Sequence, residues 1–136
     1  MNDLQGIIKL FTDWTKLKVR IHLYKSNSQI YFRERQIWWT SVGQNIGVES
    51  NGKNSNFERP IIILKKFNSE TFLGITLSTK PRTGYYYQSV RTGTNKPSFA
   101  NLSQLKLFSS KRLIRRIGDT DPADFKIIRE KIKGYL

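Results

Sequence analysis

Apolar residues recur at intervals of three and four near the amino terminus, then gather into short dense runs separated by Gly-, Asn- and Ser-rich breaks. Leu4, Ile7, Ile8, Phe11, Trp14, Leu17 and Ile21 form the first pattern, which predicts an amphipathic helix over residues 3–24 with Asn2 or Asp3 as its N-cap. Lys9, Lys16, Lys18 and Arg20 fall largely off that stripe. The expected arrangement is therefore a helix packed on the body of the domain with its basic face in water. A basic helix lying on a membrane is the rival, but the stripe is short of strong flanking anchors.

The period then changes. After a polar break at residues 26–29, Ile30 and Phe32, and then Ile37, Trp38 and Trp39, predict strands separated by Arg33-Glu34-Arg35. Adjacent tryptophans on a strand point to opposite faces, so one should seal the core and the other a subunit interface or ligand surface. Gly43, Gly47 and Gly52 punctuate a long loop in which Glu49 is the only acid between Glu34 and Glu58; loops of this length tend to be functional. Ile61 to Leu64 reads as a strand buried on both faces, Phe72 to Leu77 as a similar one, and Asn68-Ser69 as the turn between them. Ser78 to Gly84 is a polar, basic loop, Tyr85 to Tyr87 resumes a strand, and Thr92 to Pro97 breaks it. Residues 98–108 alternate well enough for one or two more strands, interrupted near Leu102 to Gln104, and Ser110 to Arg116 is strongly basic. Asp121-Pro122 opens a final helix with an Asp cap and Pro at its first position. Its stripe is Phe125, Ile128, Ile132 and Tyr135 or Leu136. Capping and dipole compensation explain Asp119, Asp121 and Asp124 better than a metal site does. Five or so short strands with few helices indicate a mainly β protein: a small, strongly curved antiparallel barrel with helices at its ends.

At 136 residues the chain fits one domain, with room for a helical extension. Its formal charge of +14 narrows the partners to polyanions: nucleic acid, an acidic protein or an anionic membrane. The absence of cysteine removes disulfides, thiolate catalysis and Cys-based zinc sites. His22 is the only histidine, which excludes nucleases that divide acid and base work between two histidines of one subunit; it reads as a packing or capping residue. Residues 1–11 lack the features of a signal peptide, and no apolar run approaches the ~20 residues that span a bilayer. A cytoplasmic location, away from membranes, is the expectation.

Several spaced motifs together resemble the MazF/PemK-like toxins of type II toxin-antitoxin modules. Ile37-Trp38-Trp39 occupies the place of the family's first strand, Gly47-Val48-Glu49 with Gly52 is similar to its G-S-E-x-x-G loop, and Glu58 to Leu64 to its R-P-V-L-V-L strand. Leu77-Ser78-Thr79 resembles its L-T-S motif, Leu102 to Lys106 its L-x-Q-I-R motif, and Lys111-Arg112-Leu113 with Ile117-Gly118 its later R-L and I-G pair. The resemblance divides the chain into a helical extension, residues 1–33, and a toxin barrel domain, residues 34–136. Ser78 stands where the family usually has Thr, Lys106 where it has Arg, and Ser50 where it has Gln.

The resemblance implies an SH3-like barrel of the plasmid maintenance toxin fold. The implied activity is sequence-selective, metal-independent cleavage of single-stranded RNA by attack of a ribose 2′-hydroxyl on the adjacent phosphate, with no cofactor. It also implies a homodimer with RNA along the interface, an acidic antitoxin whose disordered tail competes for that groove, and DNA binding by the toxin-antitoxin complex. Carried onto this sequence, Arg59 is the catalytic cation, able to contact two phosphate oxygens and charged at every relevant pH. Ser78, or Thr79 beside it, is the hydroxyl donor, and Glu49 a base or a base-edge acceptor. Lys53, Lys80, Arg82 and Lys106 are candidates for RNA contact, with Gln104 reading a base edge or serving as scaffold. The alternatives are a non-nucleolytic toxin of the same fold that binds DNA gyrase, a non-catalytic nucleic-acid-binding barrel, and a dead paralogue.

Overall fold

The computed structural model describes residues 3–25 and 29–136. Helix α1, Leu4–Leu23, starts where the pattern predicts, with the Asp3 carboxylate accepting from Gly6 N at 2.7 Å. Asn2, the alternative cap, and residues 26–28 of the polar break lie outside the described residues. Helix α2, Pro122–Tyr135, opens as expected, its cap Asp121 accepting from Ala123 N and Asp124 N.

Among the described residues seven strands lie between the helices: β1 Gln36–Ser41, β2 Glu58–Lys66, β3 Thr71–Ser78, β4 Tyr87–Val90, β5 Ser98–Asn101, β6 Lys106–Ser109 and β7 Leu113–Asp119. All pairings are antiparallel, in the order β4-β5-β3-β2-β1-β7 with β6 also on β3, and the sheet does not close. Strand β3 serves two neighbours on one edge. Thr71–Gly74 pairs with β6 and Leu77–Ser78 with β5, and that division is how a short strand carries a sharply bent sheet.

The β-branched run of β2 is buried on both faces, as its composition predicts. Ile62 and Leu64 join one core with Ile37, Ile75, Leu77 and the α2 residues Phe125, Ile128 and Ile132, while Ile61 and Ile63 join a second with Phe32, Phe72 and Phe108. Helix α2 thus closes one face, and the curl of the sheet encloses the other.

Four expectations need correction. Ile30 and Phe32 are not in a strand: Phe32 is a fully buried plug, and Arg35, at φ +79°, turns the chain into β1. Strand β4 begins at Tyr87 rather than Tyr85, because Tyr85 and Tyr86 pack on Tyr135 of α2 with centroids 5.0 and 4.8 Å away. The basic stretch from Ser110 continues into a seventh strand, whose arginines mask its alternation. Of the three carboxylates near α2 Asp121 caps, Asp124 stands in the first turn where it compensates the dipole, and Asp119 does neither. Asp124 pairs with Arg91 at 3.1 Å and Asp119 with Arg116 at 2.8 Å.

Helix α1 also departs from the expected packing. Of its stripe only Trp14 is buried, while Leu4 and Ile8 are 70% and 50% exposed. The helix grips the body chiefly through Trp14. Trp14 packs on Phe57 with centroids 5.7 Å apart and lies beneath the Arg112 guanidinium at 5.7 Å, and Lys111 Nζ donates to His22 O at 2.7 Å. Gly43 makes the slot: at φ +95° it favours glycine, and a Cβ there would stand 2.4 Å from the Trp14 ring. No helix is long and apolar enough to cross a membrane among the described residues.

Candidate active site

The site is built by β2, β3 and the loop between β1 and β2. Ile61 faces Thr76 in the β2–β3 ladder, and continuing that register by two residues sets Arg59 opposite Ser78. Directly opposite residues of an antiparallel pair share a face. Arg59 and Ser78 accordingly line the same two adjoining depressions of one groove. The sequence expectation required Ser78 or Thr79 to lie beside Arg59; Ser78 shares both depressions with it and Thr79 one.

Arg59 is aimed by the loop: its Nε donates to Asn51 O at 2.8 Å. The two terminal nitrogens make no hydrogen bond among the described residues, so the fork remains open toward the groove. Burial lowers its pKa from the ordinary arginine value, yet a guanidinium remains cationic at any relevant pH. Ser78 Oγ accepts from Lys80 N at 3.2 Å, which leaves its hydroxyl hydrogen free to donate. Thr79 is exposed beyond the end of β3 and lines the outer depression only, with Lys53 and Lys80.

The loop is held in shape by side-chain amides. Gln104 accepts from Ser50 N at 3.2 Å and donates to Val48 O at 3.1 Å, so both ends of its amide hold loop backbone. Asn45 donates to Val42 O at 3.1 Å and Ser50 O at 2.7 Å, and Ser50 and Thr76 share a hydroxyl bond at 3.1 Å. Glu49 is exposed on the groove side, one carboxylate oxygen accepting from Ile46 N at 3.0 Å. Asn45, Asn51 and Thr76 were not singled out from the sequence; the density of Asn in a Gly-rich loop is the signal that marks them, since Asn side chains substitute for backbone partners in turns.

The remaining cations surround the groove. Arg82 lines its centre with Glu49, Ser78 and Tyr87, and Lys53 and Lys80 its outer end. Lys106 lies at the opposite end beside Glu49 and Gln104, its Nζ 5.6 Å from the Phe108 ring. Burial lowers the Lys106 pKa, the charges of Arg112 and Lys18 act in the same direction, and Glu49 opposes them. The tryptophans divide as expected. Trp38 packs on the second core, while Trp39 lines the outer depression under Arg115 at 5.1 Å. Arg115 also reaches Glu58 at 3.4 Å, so that buried carboxylate, next to Arg59 in sequence, has its own cation.

A bent antiparallel sheet with terminal helices and a cation-lined groove defines the class of protein. Residues 33–136 match the family described as PemK-like, MazF-like toxin of type II toxin-antitoxin system. The chain belongs to that family. Solved structures agree on the fold. A MazF from Deinococcus radiodurans superposes with a TM-score of 0.63 at 10% identity, covering 79% of this chain and 98% of that one. An endoribonuclease from a mycobacterial species in complex with its cognate antitoxin gives 0.58 at 13%, covering 74% and 90%. The Mycobacterium tuberculosis toxin MazF-mt6 gives 0.56 at 18%, covering 74% and 94%. No curated protein matches the chain.

Proposed function

We propose that the chain is the toxin of a type II toxin-antitoxin module and a sequence-selective endoribonuclease that cleaves single-stranded RNA without a metal. The observation that carries this reading is the Arg59–Ser78 pair on one face of the groove. Two of the similar structures are described as endoribonucleases, which supports the same chemistry here.

A ribose 2′-hydroxyl attacks the adjacent phosphorus, the P–O5′ bond breaks, and the products are a 2′,3′-cyclic phosphate and a free 5′-hydroxyl. The substrate supplies the nucleophile. The protein's work is to hold the phosphate in line and to stabilise the charge that gathers on its oxygens. The free edge of Arg59 spans two of those oxygens, and the Ser78 hydroxyl donates to a third. Glu49, on the same groove, accepts the 2′-hydroxyl proton or a base-edge donor. Lys53, Lys80, Arg82 and Lys106 hold neighbouring phosphates, and Trp39 offers a face on which a base can stack.

The family and the neighbour solved with its cognate antitoxin support an acidic antitoxin as a partner, and the charge of +14 suits it. A homodimer with RNA along its interface, DNA binding by the antitoxin complex and a cytoplasmic location belong to the same reading, as does the treatment of residues 1–33 as an extension of the toxin domain. Sedimentation at micromolar concentration tests the dimer: a monomer there contradicts the shared groove. Arg59→Ala is expected to lower cleavage by at least about 10²- to 10³-fold, the usual loss of one electrostatic donor, while near-parental cleavage by the folded variant contradicts the assignment.

A further inference from the structure

Arg112 stands between the Lys106 end of the groove and a second cleft. Arg112 Nη1 donates to Ser41 O at 3.1 Å and Val42 O at 3.5 Å, and Val42 lines the depression that contains Lys106, Glu49 and Gln104. On the other side of Arg112 a cleft of about 150 Å³ is lined by Trp14, Lys18, Ile21 and His22 of α1 together with Ser109, Lys111 and Arg112. Trp14 and Lys18 lie one helical turn apart, so the slot at Gly43 that seats the ring also fixes the side of α1 that carries Lys18. Four cations thus meet where the helix abuts the sheet. No carboxylate is within ion-pairing distance of Lys18, Lys106, Lys111 or Arg112 among the described residues. Burial chiefly disfavours the protonated Lys106 amine, and the charges of Arg112 and Lys18 add to that effect while Glu49 opposes it. A like-charge cluster held together by packing, with Glu49 near Lys106 but no carboxylate paired to any of the four cations among the described residues, is a site for an anion, because a bound phosphate relieves the repulsion that the fold imposes.

We propose that Lys18 of α1, together with Lys106 and the Lys111–Arg112 turn, forms a phosphate-binding subsite that extends the RNA groove beyond the toxin domain onto the amino-terminal helix. The ligand class is the phosphodiester backbone of a single-stranded polynucleotide, several nucleotides away from the phosphate at Arg59. This subsite rests on the reading of the groove as an RNA site. It gives α1 a function: residues 33–136 match the family, while the helix adds a cation from outside them.

The test is binding to uncleavable 2′-O-methyl RNA, in oligonucleotides of about 4 and about 16 nucleotides, the span that a single binding fold covers. It compares the full-length chain with Lys18→Gln and with a charge-matched control, Lys126→Gln, on the exposed face of α2. Affinity for the long oligonucleotide is expected to fall several-fold in Lys18→Gln, and the slope of log affinity against log salt to shrink by about 0.7, the value of one single-strand phosphate contact. The control should keep the parental slope. Equal slopes for Lys18→Gln and the control overturn the subsite, as does a loss that appears only with polyglutamate, which assigns the cluster to an acidic protein. Cleavage is not the readout, so the two proposals separate. A parental chain that binds RNA with the Lys18-dependent slope but never cuts it loses the nuclease reading alone, and one that cuts RNA with no Lys18 dependence loses the subsite alone.

Discussion

Arg59 and Ser78 show how two residues acquire a role from position. Each is ordinary by itself, and the β2–β3 hairpin makes them a pair by placing both along one groove. Arg59→Lys retains charge but loses the fork and the bond to Asn51 O, so it should recover only part of the activity lost in Arg59→Ala, as measured by single-turnover cleavage. Recovery to the parental rate contradicts a bidentate role. Ser78→Ala should lower cleavage, and Ser78→Ala/Thr79→Ala no further, since Thr79 sits beyond the strand end in the outer depression. An added loss in the double variant makes Thr79 the hydroxyl donor. Thr120 gives a stability prediction at the same scale. It is fully buried and its hydroxyl has no partner among the described residues. Thr120→Val removes that desolvated group at nearly constant volume, so stability in urea should be unchanged or rise by about 1 kcal/mol; a clear loss points to a partner for the hydroxyl.

Among the elements, legibility followed the local rules. Helix α2 was plain because cap, proline and stripe agree, and β2 was plain because a buried β-branched run has few other readings. Strand β7 was hidden by Arg115 and Arg116, adjacent cations of which one covers Trp39 and Glu58 and the other pairs with Asp119, so that the alternation is broken. Helix α1 was legible as a helix but not in its docking, since periodicity names a stripe without saying which residue finds a slot; that depends on Gly43, remote in sequence. Trp14→Ala should therefore free α1 while the sheet remains folded, with amide exchange faster in residues 4–23 and unchanged in β2 and β3. Unchanged protection in α1 contradicts a grip centred on Trp14. The tether of β4 to α2 is a matter of charge. Burial pushes the Asp124 carboxyl up, but hydrogen bonds from the Arg91 side chain and backbone, with the guanidinium charge, outweigh it and hold the pKa below the usual carboxylate value. A depressed carboxyl stabilises the fold above its unfolded pKa of about 3.9 and loses that contribution as pH falls through the lower folded value. The stability gap between the parental chain and Arg91→Met should thus be constant near neutrality and shrink below about pH 4. A gap that persists in acid contradicts it.

At the scale of the whole molecule, a net charge of +14 is distributed so that cations follow one groove, from Lys53 and Lys80 past Arg59 and Arg82 to Lys106 and the root of α1. Arg59 and Lys106 stood out in the sequence through the family motifs, and Lys53, Lys80 and Arg82 as cations of the flanking polar loops. The scaffold was not legible, because Gln104 meets Ser50, and Asn51 meets Arg59, only once the loop is folded. A footprint of this kind predicts that RNA affinity falls steeply with salt, and a flat response contradicts it. The central claim, that Arg59 drives metal-independent cleavage from the RNA's own hydroxyl, is tested most directly by incubating the parental protein and Arg59→Ala with a defined single-stranded RNA in EDTA and mapping the ends. The account predicts discrete cuts bearing 2′,3′-cyclic phosphates for the parental protein and their loss in the variant; intact RNA with the parental protein, or equal cutting by both, would contradict it.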